Sequence, residues 1–198
     1  IVAETQKALA TAGPNATARR KAELLTRYVN AALEKKPTMS LPSALEVLRT
    51  RVGDCNEHTA LYVGMARAAK IPARVAIGLV NLRGAFYYHA WPEVFVGDAK
   101  STTDGSSGVW IPVDPTFNQF PADVSHVRLA RGGFDRQAAI LPLLGQAKID
   151  VLEMVDGPSD LNSRPLVGAD RKDTPSLALD IPAPESKDSC WRRPNRRY

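Results

Sequence analysis

The chain has 198 residues, 44% of them hydrophobic, enough for one sizeable core with room for a short appendage. Its formal charge is +5, but Arg192, Arg193, Arg196 and Arg197 lie within the last eight residues, so the remainder is close to neutral and a nucleic-acid groove across the domain is not expected. Apolar runs stay well short of the roughly 20 residues that span a bilayer, and two cysteines, Cys55 and Cys190, are too few for a disulfide framework or a cysteine zinc site.

Starting at Ile1 rather than Met, the sequence reads as an excised domain or a processed product. A helix is expected from near Thr17, because Leu25, Tyr28, Val29, Ala32 and Leu33 recur at three- and four-residue spacing while Arg19, Arg20, Lys21, Glu23 and Arg27 take the other face. Lys36-Pro37 ends it. A second helix opens at Ser43, where Glu46 completes a capping-box pattern, and stops before Gly53. A third follows Asp54 as N-cap with Glu57 three residues on. Its residues Ala60, Leu61, Tyr62, Val63, Met65, Ala66, Ala68 and Ala69 are apolar on nearly every face, which predicts a buried helix.

Beyond Ile71-Pro72, the alternation of Val75, Ile77 and Leu79 predicts a strand. Phe86 to Val96 has strong strand character interrupted by Pro92, which suggests an edge position or a bulge. Asp98 to Gly108 is loop by composition, and Val109 to Val113 is a further strand. Asn118, Pro121, Asp123, Gly132 and Gly133 indicate an irregular excursion, followed by a short helix near Arg136 to Leu144 and a last strand from Lys148 to Met154. From about Asp156 the composition turns to Pro, Ser, Asp and Arg, which cannot bury enough surface to offset ordering. The expected organisation is therefore a domain over 1–155 and a tail over 156–198.

The third helix carries the chemistry. Cys55 falls in its first turn, where unpaired backbone N–H groups and the positive end of the helix dipole favour a thiolate. A thiol that transfers acyl groups needs a base beside the sulfur and a group that orients the base. Three histidines are available. His58 lies three residues along the same helix, within reach of the thiol but with no evident orienting partner, and His126 is expected in a loop. His89 is preferred on geometry: if its strand pairs antiparallel with the one ending at Asp114 across a loop centred near residues 101 and 102, the two oppose each other, with Cβ atoms about 4.5–5.5 Å apart. Trp91 would share the face of His89 and shield the pair, wall a substrate groove or pack in the core, with Glu93 as the solvated end of that face. Asn118, Gln119 and His126 are candidates to line the cleft beyond Asp114.

Four blocks of this sequence resemble, in order, those of the bacterial transglutaminase-like superfamily. They are Gly53-Asp54-Cys55-Asn56-Glu57, Ala68 to Val75, His89-Ala90-Trp91-Pro92-Glu93-Val94, and Trp110 to Thr116, and the resemblance runs from about Ser43 to Phe120. It implies an α+β, papain-like core, with the buried cysteine helix packed on an antiparallel sheet, and a catalytic triad of Cys55, His89 and Asp114. For the oxyanion, the aromatic or amide side chain that family members often place upstream is not identified, and the candidates are the Cys55 backbone N–H and Asn56. No spaced cluster of acidic residues suggests calcium, so no cofactor and no metal are expected. The implied activity is attack on an amide carbonyl through a thioester, as a peptidase or amidase or as a transamidase acting on a protein or peptide, with hydrolysis favoured. A catalytically silent peptide-binding module is the alternative. The chain is expected to act as a monomer or as part of a larger polypeptide, with the setting leaning to the bacterial cell envelope.

Overall fold

The computed structural model describes residues 1–38, 42–97, 108–143, 146 and 149–150. Most of the expected loop after Asp98 and most of the expected strand from Lys148 to Met154, together with the tail and Cys190, therefore lie outside the described residues, and residues 149–150 are not in a strand. Five helices and six strands are present among the described residues: α1 (Val2–Ala8), α2 (Ala18–Ala32), β1 (Glu34–Lys35), α3 (Ala44–Thr50), β2 (Val52–Gly53), α4 (Cys55–Ala68), β3 (Ala73–Leu82), β4 (Ala85–Gly97), β5 (Gly108–Pro112), β6 (His126–Gly132) and α5 (Gln137–Ile140). Two short 3-10 turns, Phe134–Arg136 and Leu141–Leu143, flank α5.

The helix starts follow their caps. The Thr17 side chain accepts from the Arg20 N–H to open α2, and Ser43 does the same for Glu46 at α3. At α4 both halves of the capping box form: the Asp54 carboxylate takes first-turn N–H groups, and Glu57 Oε2 accepts from the Asp54 N–H at 2.9 Å. Gly53 is required here because a Cβ on it would lie 2.1 Å from the Cβ of Glu57. Upstream, β1 and β2 pair in parallel, with Glu34 N–H to Arg51 O at 2.7 Å and Lys36 N–H to Gly53 O at 3.2 Å, and so fix the chain that enters the cysteine turn.

As the all-round apolar pattern of α4 predicts, this helix is buried. Leu61, Tyr62 and Met65 are fully covered, packed with Leu25 and Val29 of α2 and with Val75, Ile77 and Val94 of the sheet. Each such side chain contributes about 1.5–3 kcal/mol through burial. The phenol of Tyr62 meets its remaining polar need by donating to Ala22 O at 3.1 Å. No helix among the described residues is long and apolar enough to cross a membrane.

A four-stranded antiparallel sheet in the order β5-β4-β3-β6 backs these helices, giving the α+β architecture. Three features differ from the sequence expectations. Residues 126–132 form β6 instead of an irregular excursion, because Val127 and Leu129 alternate with His126 and Arg128 well enough to pair with β3. A bulge between Ile77 and Gly78 adjusts that pairing, and only glycine fits at 78, where a Cβ would lie 2.0 Å from Val127 O.

Pro92, expected at an edge or a bulge, sits inside the central strand β4 without a register break. Val113 N–H donates to Pro92 O at 2.9 Å, so the N–H that proline lacks would have faced the β5 side, just past the end of β5 at Pro112. Finally, the β4–β5 register is displaced by two residues from the assumed one. Glu93 pairs with Pro112, which would set residue 116, not Asp114, opposite His89.

Candidate active site

Despite that displacement, His89 and Asp114 meet. The ladder stops at Pro112, and the chain then folds back through paired backbone bonds between Asp114 and Gln119, N–H to O at 2.9 and 2.8 Å. This turn carries the Asp114 carboxylate to His89 Nε2, with Oδ2 at 2.8 Å, and both side chains are 0% exposed. From α2, the amide of Asn30 donates to Pro115 O and Thr116 O at 2.8 and 3.0 Å and pins the turn from outside.

The first turns of α4 are held on the open part of β4, the strand that carries His89. Because Pro92 O faces β5, the alternation of a β-ladder points the backbone of Ala90 the same way, where β5 no longer extends. There the Thr59 hydroxyl of α4 donates to Ala90 O at 3.0 Å, and the Tyr88 hydroxyl donates to Asn56 Oδ1 at 3.0 Å. Residues 56 and 59 of the helix are thereby bonded to residues 88 and 90 of the strand, which bracket His89, while Cys55 directly precedes residue 56. Cys55 itself is buried at N1 of α4, directly after its N-cap Asp54. With Nε2 of His89 on Asp114, Nδ1 is the ring nitrogen turned away from that carboxylate.

Aromatic rings flank the histidine. Phe117 stacks on His89 with centroids 5.0 Å apart, and Trp91, buried, stacks at 5.9 Å. Together they keep water from the carboxylate–imidazole pair and strengthen it electrostatically. Burial alone would raise the pKa of Asp114. The charge of His89 and hydrogen bonds from His126 and His89 outweigh it and hold the carboxyl well below the usual range. Backbone N–H groups of Thr116 and Phe117 also donate to its Oδ1 at 2.7 and 3.1 Å.

One participant was placed differently in the sequence. His126, expected in a loop, begins β6, and its Nε2 lies 3.1 Å from Asp114 Oδ2. It lies on the face of His89, since Gly78 opposes His89 across β3 and Val80 opposes His126. Gly78 has no side chain to separate the rings, whose centroids are 5.5 Å apart. The signal that could have located it is the alternation of His126 and Arg128 with Val127 and Leu129.

The other candidates fall out variously. Asn56 is part of the helix start, with its carbonyl held by Tyr88. Asn118 is exposed at the tip of the Asp114–Gln119 turn, where its φ of 58° gives it a backbone role. Glu93 is not a solvated end of the face: it is buried and ion-paired to Arg74 Nε at 2.6 Å and to Arg128. His58 donates Nδ1–H to Asp54 O at 2.7 Å, and burial lowers its pKa to about 4, which marks a neutral structural histidine. His89, Asp114 and His126 each bring one donor atom within 4.8 Å of the others, the sole such grouping among the described residues, but those atoms are engaged with one another by hydrogen bonds.

Residues 5–115, more than half of the chain, match the Transglutaminase-like superfamily, and the chain belongs to that family. Comparison with curated proteins finds no match. Among solved structures, a candidate cysteine protease from Cytophaga hutchinsonii is similar at 25% identity with a TM-score of 0.54, over 69% of this chain and 45% of that one. The periplasmic domain of TgpA from Pseudomonas aeruginosa, solved with ethylmercury, is 26% identical with a TM-score of 0.39, over 63% of this chain and 46% of that one. A structure described as a TGase is 18% identical with a TM-score of 0.41, over 65% and 33%. The chain thus spans less than half the length of each of these structures.

Proposed function

We propose that the chain is a thiol-dependent acyl-transfer enzyme acting on amide bonds of a protein or peptide, with Cys55 as nucleophile, His89 as base and Asp114 as orienting carboxylate. The observation that carries this reading is the fully buried His89–Asp114 pair at 2.8 Å beside the first turn of the cysteine helix. A buried carboxylate fixes the imidazole tautomer with Nε2–H toward Asp114 and so leaves Nδ1 as the acceptor for the thiol proton.

In the acylation step the Cys55 proton moves to His89 Nδ1 as sulfur attacks the carbonyl carbon. The tetrahedral oxyanion then collapses, the C–N bond breaks, and the leaving amine takes the proton from His89. This leaves a thioester on Cys55. Water then attacks the thioester as His89 takes one of its protons, and the acid is released as the thiol is restored. The oxyanion donors in this reading are the Cys55 backbone N–H and the Asn56 amide. With Asn56 Oδ1 accepting from Tyr88, its NH₂ group is the end left to donate.

Incubation with a mixed peptide library, with and without a primary amine such as methylamine, followed by mass analysis tests the reading. Free-acid products should dominate under both conditions and disappear with Cys55→Ala. Amine adducts as the main products would move the assignment to transamidation. Unchanged peptides with no acyl-enzyme would make the chain a binding module.

A further inference from the structure

The histidine that β6 contributes has a partner set that a packing residue does not need. His126 is almost fully covered, and its two ring nitrogens both face carboxylates: Nε2 lies 3.1 Å from Asp114 Oδ2, and Nδ1 lies 3.1 Å from Asp123 O and 3.3 Å from Asp123 Oδ1. Asp123 is itself held, since Gln119 Nε2 donates to its Oδ2 at 2.7 Å and the Ser125 N–H donates to its Oδ1 at 3.0 Å. The Ser125 hydroxyl also donates to Oδ1, so the oxygen it turns to His126, 3.4 Å away, is an acceptor.

These contacts close a ring. Asp114 and Gln119 are joined through their backbones, Gln119 to Asp123 through the amide side chain, Asp123 to His126 through Nδ1, and His126 to Asp114 through Nε2. The ring ties the turn that carries Asp114, which has left the sheet at Pro112, back to a paired strand. Trp91 completes the enclosure, with its ring edge-on to His126 at 5.1 Å.

We infer that His126 is a positioning residue of this site: it donates Nε2–H to the same Asp114 oxygen that serves His89 and so fixes the carboxylate in the geometry the base requires. The inference rests on the Cys55–His89–Asp114 reading. Without His126 the carboxylate keeps its backbone bonds to Oδ1 but is free to swing Oδ2 away from His89, and acylation slows while binding of the acyl donor is unaffected.

The test is burst kinetics with p-nitrophenyl acetate on the full chain, carried out on His126→Ala, His126→Asn and His126→Gln, with Cys55→Ala and His89→Ala alongside. The glutamine amide nitrogen reaches the position of Nε2, whereas that of asparagine reaches only the position of Nδ1. His126→Ala and His126→Asn should acylate about 10- to 100-fold more slowly, the loss of one charge-assisted hydrogen bond, at an unchanged half-saturating ester concentration. His126→Gln should recover most of the rate. If His126→Ala does not fold, the contrast between the asparagine and glutamine variants carries the same information. Equal rates for those two variants, or a wild-type burst in His126→Ala, would overturn the inference. A full burst in His89→Ala would instead overturn the reading on which it rests.

Discussion

Asp114→Asn is expected to lower the rate of Cys55 acylation by about four orders of magnitude, the loss that this substitution causes in a hydroxyl-based triad, while leaving the fold in place. The reason lies in what surrounds the carboxylate. Oδ1 accepts from the backbone N–H groups of Thr116 and Phe117, so an asparagine would keep its oxygen there and turn its NH₂ group toward His89 and His126. Facing a donor, His89 would present Nε2 as an acceptor and carry its proton on Nδ1, the nitrogen that takes the thiol proton in the proposed mechanism. Burst amplitude and rate with an activated ester, compared at matched circular dichroism, measure the effect. A variant within tenfold of wild type would show that Asp114 does not orient the base. The depressed pKa of Asp114 has a second consequence. The stability it supplies is present above the unfolded value of about 3.9 and is lost as pH falls through the lower folded value.

His58 gives the second large effect, and here the sign is that of a buried neutral imidazole. Its folded pKa is lowered by burial to about 4, against an ordinary value of 6.5. Between those two values the unfolded chain binds a proton that the folded chain refuses, so acid favours unfolding. The stability is intact above pH 6.5, falls through that window, and is lost in full below about pH 4, for a total of about 3 kcal/mol. His58→Asn keeps a donor for Asp54 O and removes the titration. Urea unfolding at neutral pH and near the lower end of the window should show the wild type losing about 2–3 kcal/mol more than the variant. Equal losses would mean that His58 already titrates normally in the folded protein. The same variant should retain acylation, since the His58 Nδ1–H is committed to the helix backbone. Loss of acylation there, with retention in His89→Ala, would move the base onto the cysteine's own helix.

Much of this site is legible in the sequence because it is specified locally. Asp54 and Glu57 announce the helix start by side-chain chemistry at fixed offsets, and the all-round apolar character of α4 announces its burial. Both effects act within one element. The pairing of His89 with Asp114 is less secure from sequence, because antiparallel register depends on loop length. The assumed loop centre was off by enough to displace the ladder two residues, an even shift that preserves the face of each side chain while changing its opposite number. The contact survives because the Asp114–Gln119 turn, not the ladder, delivers the carboxylate.

Other parts depend on tertiary partners. The two-residue pairing of β1 with β2 has no periodicity to read, and α1 is a seven-residue helix whose Glu4 is held by Tyr28 and by Arg51 at 2.7 Å. In β6, the flanking Pro121, Asp123, Gly132 and Gly133 mask a strand whose alternation is adequate. With those residues read as a loop, His126 is a cleft candidate without a fixed position, and the carboxylates that face it are not legible.

The central claim is that the start of α4 and the His89–Asp114 pair together make Cys55 an activated thiol. Alkylation by iodoacetamide, mapped separately to Cys55 and Cys190 across pH, tests it most directly, because both thiols report from one folded molecule. Cys55 should react with a rate midpoint well below the value of about 8.5 expected of a free thiol, Cys190 should follow the ordinary profile, and His89→Ala should move Cys55 toward Cys190. Identical ordinary profiles for the two cysteines in the folded wild-type chain, or a Cys55 that stays unreactive at neutral pH while Cys190 is modified, would contradict the account.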